Sequence, residues 1–326
     1  MKRPAKVMLV LAGLLPASAP IGWPAGHVDH SANGVSGMVH DGALRVYAVE
    51  KCGYNVSIPN VYSAFAAHQV EWNYMGLHMP WYSVLIGLSQ TVDIPEKDKA
   101  AFYGTGEHHV DQVVKNMAKW AGSSKAGFRE SLAGKRVLDF GCGLGRLAFA
   151  FANNLRAAVT CVDQSVHHLR LAKQEWTTKR ARAGVVEFVV SSPDLLAPML
   201  SRRFDFVHSV IAMQHMVPAL QAVYLEQLCD LLVPGGTGWI QMTIRGDSNS
   251  VSGNNGCDMG QSIAMGGMQM HSTPIDAIKR LLHFRGCRAE VHDVGHAYIG
   301  RRAGDGSAAA VVKMRKQLGI GARPDA

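Results

Sequence analysis

Apolar positions along the second half of the chain come in short blocks whose period changes in a regular order. Arg136 to Phe140 is a nearly continuous apolar run, the pattern of a strand buried on both faces. Three glycines follow (Gly141, Gly143, Gly145), then a helical stretch from Leu147 to Asn154, then a second buried strand from Ala158 to Val162 closed by Asp163. Strand, tight turn, helix and strand make one βαβ unit, which brings the turn and the end of the second strand to the same edge of a parallel sheet.

The same alternation continues downstream. Strands are expected at Val186–Val190 and Arg203–Ser209, then an amphipathic helix at Leu220–Leu232. Pro234-Gly235-Gly236 then turns the chain into a strand at Gly238–Thr243. Thr273-Pro274 opens a helix that runs through His283 and stops at Gly286, and Cys287–Val294 and Ala308–Met314 read as two further strands. The long segment from Arg245 to His271 is rich in Gly and Met; it is either a lid or substrate wall, with Met259, Met265, Met268 and Met270 as adaptable apolar contacts, or an unstructured insert.

Upstream, Val61 to Leu88 is aromatic and apolar, and Trp72, Tyr74, Trp81 and Tyr82 either pack a helical layer onto the sheet or line a pocket. A polar hinge at Asp93–Lys99 precedes Val110, Val113, Val114, Met117 and Trp120, whose spacing predicts a helix over Glu107–Trp120 with Thr105 at its N-terminus.

At 326 residues, 48% apolar and 18% charged, the chain can bury a full α/β core with additional elements. The net charge of +8 is spread without a run of five basic residues, so it reads as an ordinary basic surface and carries no strong nucleic-acid signal. Six cysteines form no C-x-x-C pair and no zinc spacing, a pattern that suits reduced thiols in an intracellular protein. His27, His30 and His40 have no regularly spaced cysteine or carboxylate partners, and no metal site is expected. The first twenty residues combine Lys2, Arg3 and Lys6 with an apolar run at Val7–Leu15 and Ala17-Ser18-Ala19. These are the parts of a secretory signal, and the run is too short to span a bilayer. The expected compartment is the cytoplasm, with export or membrane association through that segment as the alternative.

The chemistry concentrates at the βαβ unit. A chain passing from strand to helix beside a ligand needs positive φ and close backbone approach, which glycine supplies. Asp163 at the end of the second strand is placed to accept hydrogen bonds from both hydroxyls of a ribose, so a nucleoside-containing cofactor is expected. Dinucleotide turns carry a further glycine where this chain has Arg146, which argues against a nicotinamide enzyme.

The segment VLDFGCGLGR, Val137–Arg146, resembles motif I of the class I S-adenosylmethionine (SAM) dependent methyltransferases. The resemblance continues through Cys161–Ser165, Ser191–Pro198, Arg203–Met216 and Leu231–Met242. It implies a three-layer, Rossmann-like α/β fold with a seven-stranded, mostly parallel sheet, an antiparallel last strand and an N-terminal helical extension. The domain plan is a signal-like or disordered segment at 1–45, a helical and aromatic layer at 46–132 over the cofactor and substrate site, a methyltransferase domain at 133–315 and a basic tail at 316–326.

The resemblance also implies roles. Asp139 would hold the methionyl ammonium, and Gly141, Cys142, Gly143 and Gly145 the cofactor backbone. Asp163 and Gln164 would face the ribose. Asp194 would reach the adenine amino group from a shifted position, because Ser191 stands where an aspartate often does. Leu195 and Val210 complete that set. Tyr103, Thr105 and Gly106 match a segment that closes over the methionine part. His215 would be a general base or a structural support of its loop. With no N/D-P-P-Y/F motif, the expected acceptor is a small molecule methylated on oxygen or nitrogen; protein or RNA acceptors and a non-catalytic SAM-binding role stay open.

Overall fold

In the computed structural model the described residues are 58–178, 183–191, 199, 201–245, 271, 273, 275–295 and 308–318. Among the described residues four helices precede the sheet: α1 (Ile58–His78), α2 (Pro80–Val84), α3 (Glu96–Trp120) and α4 (Lys125–Ser131). Then come β1 (Arg136–Phe140), α5 (Arg146–Leu155), β2 (Ala158–Asp163), α6 (Val166–Thr178), β3 (Val185–Val190), β4 (Phe204–Ser209) and a 3₁₀ turn at Met213–His215. The chain continues with α7 (Pro218–Asp230), β5 (Leu232–Arg245), α8 (Ile275–Phe284), β6 (Cys287–Gly295) and β7 (Ala308–Lys316).

The seven strands form one sheet in the order β3-β2-β1-β4-β5-β7-β6. β3, β2, β1, β4 and β5 pair in parallel, and β7 runs antiparallel between β5 and β6. The chain reverses from β2 to β4 on the two sides of β1, and it is at such a switch point that an open parallel sheet holds its ligand. Alternate strand residues feed two cores, as the pleat requires. Leu138, Phe140 and Val207 pack with α7 and α8, whereas Val137, Cys161 and Phe206 pack with α3 and α5.

Three features differ from the sequence expectation. Helix α3 begins at Glu96, not at Glu107: Pro95 is its N-cap, and Glu96 and Asp98 put negative charge in the first turn. Gly104, Thr105 and Gly106 look like a turn in sequence, yet they lie inside this helix because Phe102, Tyr103 and Gly106 extend the buried face of Val110 and Val113. Strand β5 starts at Leu232 and carries Pro234-Gly235-Gly236 within it, at a register shift against β4 between Phe204 and Phe206. The cysteines are the third: Cys142 is bonded to Cys161 and Cys229 to Cys287, which corrects the expectation of reduced thiols. Their sequence separations of 19 and 58 hide the pairing, which arises only when β2 lies against β1 and the end of α7 meets the start of β6. No helix among the described residues is long and apolar enough to cross a membrane.

Gly106 sets how closely α3 approaches α5. A Cβ there would lie 2.2 Å from the carbonyl oxygen of Arg146, whereas a Cβ at Gly104 meets nothing within 4 Å. Gly106→Ala is therefore expected to destabilise the fold by about 2–3 kcal/mol through overpacking against backbone. Gly104→Ala, on the same helix, is expected to stabilise it by about 0.5–1 kcal/mol by limiting the unfolded chain. Denaturant unfolding of both variants checks the opposite signs.

Candidate functional site

A cleft opens where β1, β2 and β4 end, with α1 and α2 as its outer wall. Of the residues expected from sequence to bind the cofactor, Gly141, Cys142, Gly143, Asp163, Gln164 and Val210 line it.

The glycine turn is left-handed at each glycine, with φ of 71° at Gly141, 52° at Gly143 and 74° at Gly145. A side chain at Gly141 would strike Ala212 at 2.3 Å, and one at Gly143 would strike Val84 at 2.7 Å. The turn is thus short of space for protein reasons as well as ligand ones. The amides of Gly141 and Cys142 both donate to the Val162 carbonyl at 2.8 and 3.1 Å, binding the turn to the end of β2.

Asp163 completes that fastening. Its Oδ2 accepts the Gly143 amide and its Oδ1 the Ser165 amide, each at 2.8 Å. Burial pushes its pKa up to about 6, although the Ser165 and Gly143 amides pull the other way. Each oxygen keeps acceptor capacity for a hydroxyl donor in the cleft.

Asp139 lies beneath the cleft and is not on its wall. Its Oδ1 meets His208 Nδ1 at 2.9 Å with both side chains almost fully buried, and its Oδ2 is buried with no hydrogen-bond partner. Arg146, the first residue of α5, does line the cleft at 7% exposure. Its Nη1 donates to Thr105 Oγ1 at 3.1 Å, while its Nε is buried without a partner. Burial lowers the Arg146 pKa and the Asp139 charge opposes that shift.

Tyr103, Thr105 and Gly106 are placed behind the glycine turn and do not reach the cleft wall. The Tyr103 hydroxyl donates to the Leu144 carbonyl at 3.2 Å, and its ring stacks on Phe149 at 5.2 Å. Gly145 likewise serves as the N-cap of α5, away from the wall. Asp194 and Leu195 lie outside the described residues, as do the signal-like segment and the Met-rich stretch after β5.

His215 sits in the 3₁₀ turn, buried, with its ring 5.3 Å from that of Trp72. It too is behind the wall, and the histidines on the wall are His68 and His168. Helix α1 is clamped over β2 and α6: Gln69 Nε2 donates to the Gln164 carbonyl at 3.2 Å, and Asn73 Oδ1 accepts the Val166 amide at 3.0 Å. That clamp delivers His68, whose Nε2 faces the Trp72 indole N–H at 2.9 Å and the His215 carbonyl at 3.0 Å, with Gln164 Nε2 2.6 Å from its Nδ1. His168 Nε2 is 2.7 Å from the Ser83 hydroxyl. Burial pushes both histidines down to about 4, so both are neutral at pH 7. His68, Ser83, His168 and Tyr224 carried no motif of their own, whereas Arg146 ends the motif I segment and Trp72 is one of the aromatics for which a pocket was an alternative.

The loop after β4 is held in an unusual conformation. Ile211 lines the cleft at φ 55°, a left-handed value that a β-branched residue adopts only under constraint. The constraint is a buried amide network. Gln241 Oε1 accepts the Ile211 amide at 2.7 Å and its Nε2 donates to Gln214 Oε1 at 2.8 Å, while Gln221 Nε2 donates to the carbonyls of Met213 and Met216 at 2.9 Å each.

Residues 137–236 match a family described as a methyltransferase domain. The chain is 30% identical over 105 residues to O-methyltransferase rstn1 of Aspergillus nomiae, covering 32% of this chain and 45% of that protein. It is 37% identical over 108 residues to a ubiquinone biosynthesis O-methyltransferase of Azotobacter vinelandii, covering 32% of this chain and 43% of that protein. The chain thus matches less than half the length of these relatives. Among solved structures, magnesium protoporphyrin IX methyltransferase from Synechocystis, crystallised with SAH, aligns with a TM-score of 0.51 at 15% identity, over 78% of this chain and 100% of that one. A likeness at that identity establishes a shared fold.

Replacing Gln241 by Met keeps its volume and strands two buried groups, the Ile211 amide and the Gln214 carbonyl oxygen. A loss of about 2–3 kcal/mol in unfolding free energy is expected from denaturant melts. A change under about 0.5 kcal/mol would show that the loop holds its shape without the amide network.

Proposed function

We propose that this chain, whose residues 137–236 carry a methyltransferase domain, is a SAM-dependent methyltransferase acting on a hydroxyl or amino group of a small molecule. The observation that carries the cofactor assignment is the Asp163 carboxylate, tied to the Gly143 amide and facing a cleft at the switch point of a parallel sheet. The residues present fit that cofactor. Asp163 has acceptor capacity for two ribose hydroxyls, the Asp139 Oδ2 has no hydrogen-bond partner, and the glycine turn leaves backbone next to the ligand.

When bound, SAM supplies a methyl group already activated by the sulfonium charge. What falls to the protein is alignment and the exclusion of water. Val210, Ile211 and Met216 give the cleft an apolar lip after β4, and Tyr224 with Ser191 closes it at the end of β3. His68 and His168 stay neutral, so they set no positive charge against a cationic ligand, and the Trp72 ring adds an aromatic face. His68 is on the wall with both ring nitrogens engaged, Nδ1 by Gln164 and Nε2 by Trp72 and the His215 carbonyl, so it shapes the cleft and the acceptor's proton leaves to solvent. The small-molecule preference draws on the O-methyltransferases among the relatives.

Incubation with methyl-labelled SAM and a metabolite extract is expected to yield a labelled small molecule. Label appearing only in protein or RNA would replace the acceptor class, and no calorimetric heat with S-adenosylhomocysteine would remove the cofactor assignment.

The pH dependence follows from Asp163. Ribose hydroxyls donate to the ionised carboxylate, so binding favours the deprotonated form, and affinity is expected to rise as pH increases through about 6 and then level off. Titrations of S-adenosylhomocysteine between pH 5 and 7.5 check this. Asp163→Asn should bind about 10–100-fold more weakly at pH 7.5, with a flat profile across that window.

A further inference from the structure

The glycine turn is fastened to β2 in two ways, by hydrogen bonds and by a covalent bond. The amides of Gly141 and Cys142 sit on the Val162 carbonyl, and the Gly143 amide on Asp163. The covalent fastening is the disulfide between Cys142 and Cys161, which closes a ring of chain containing the rest of the turn, all of α5 and the first residues of β2. Cys142 stands between Gly141 at φ 71° and Gly143 at φ 52°. Glycine restricts its own backbone least of all residues, so the cross-link confines the stretch that would otherwise have the most freedom.

The two sulfurs of that bond differ in access. Cys142 is on the cleft wall and 6% exposed, whereas Cys161 is fully buried within β2. The other disulfide among the described residues, Cys229 with Cys287, is buried at both ends and has no part in the wall. Thiol–disulfide exchange depends on access to the sulfur attacked. A small thiol entering the cleft therefore meets Cys142 and displaces Cys161, through the same space that the proposed ligand fills.

We infer that Cys142 and Cys161 form a thiol–disulfide exchange site whose oxidation state is coupled to occupancy of the cleft. The inference rests on the proposed cofactor. In the first step a thiolate bonds to Cys142 Sγ, the bond to Cys161 breaks, and Cys161 leaves as a thiolate that takes up a proton. A second thiolate then attacks the mixed disulfide, releasing Cys142 as a thiol and the two small thiols as their own disulfide. Two electrons pass from the thiols to the protein, and a thiol or dithiol is the reductant. The reduced turn keeps only its hydrogen bonds, so ligand binding must also order it, and affinity falls. Linkage makes the effect reciprocal: the factor by which reduction weakens the ligand is the factor by which the ligand resists reduction.

The test uses S-adenosylhomocysteine and dithiothreitol on the full chain. Calorimetry is expected to show binding at least about fivefold weaker after reduction than before. In mixtures of reduced and oxidised dithiothreitol, differential alkylation with peptide mass spectrometry reads each cysteine pair separately. Saturating S-adenosylhomocysteine should raise the reduced-to-oxidised ratio that half-reduces the Cys142 pair by that same factor, and leave the ratio for Cys229 with Cys287 unchanged. Cys161→Ala, which removes the bond from behind the wall, should bind like the reduced wild type and ignore dithiothreitol. Equal affinity in the two redox states would overturn the coupling, and this arm needs no variant to fold. An equal shift for both pairs would also overturn it, by assigning the protection to global stability. Alkylation of Cys142 and Cys161 in chain purified without reductant would remove the bond itself. If neither redox state binds S-adenosylhomocysteine, the cofactor assignment fails and the coupling with it; tight binding that ignores redox state defeats the coupling alone.

Discussion

The organisation of the cleft depends on one carboxylate receiving two backbone amides. Asp163 accepts the amides of Gly143 and Ser165, joining the glycine turn, the end of β2 and the start of α6 at a single buried group. Burial alone would drive that group toward its neutral form, and the two amides partly offset the cost. The result is a preorganised acceptor whose neighbours cannot drift apart without exposing a carboxylate to an apolar surrounding. The bond between Cys142 and Cys161 fastens the same turn to the same strand from within.

Around this centre the wall is assembled from distant parts of the chain. Helix α1 arrives through Gln69 and Asn73, which bond to the backbone of Gln164 and Val166, and so brings His68 and Trp72 over the sheet edge. The opposite lip, after β4, is held by Gln221 and Gln241, buried amides that satisfy carbonyls and an N–H that no secondary structure could. Amide side chains suit this task because they donate and accept at fixed geometry without carrying charge into the interior. Beside the turn, Asp139 lies close to His208 and to Arg146, and Asp163 is the carboxylate on the cleft wall.

The βαβ unit was legible because its signals are local. Buried strands read as apolar runs, the turn as glycines, and the acidic end of β2 as a single residue at a fixed distance. Gly141, Cys142, Gly143, Asp163, Gln164 and Val210 accordingly fall on the cleft wall. Tyr103, Thr105 and Gly106 misled for an equally local reason. Glycine and threonine next to one another resemble a turn, but a buried stripe running from Phe102 to Met117 outweighs their poor helix propensity. His215 lies one layer behind the wall that His68 occupies, a difference of depth that spacing along a chain does not encode.

By itself, then, the amino-acid order determined the strand sequence, the parallel core, the left-handed turn and the position of the carboxylate that faces the cleft, since each depends on residues within a few positions of one another. Tertiary structure alone decided which cysteines pair, how far α3 extends, which histidines reach the cleft and how Arg146 comes to lie beside Asp139. Those outcomes depend on contacts between segments that meet only when the sheet has formed, and burial, which sets both protonation and the cost of an unpaired polar group, is a property of that packing.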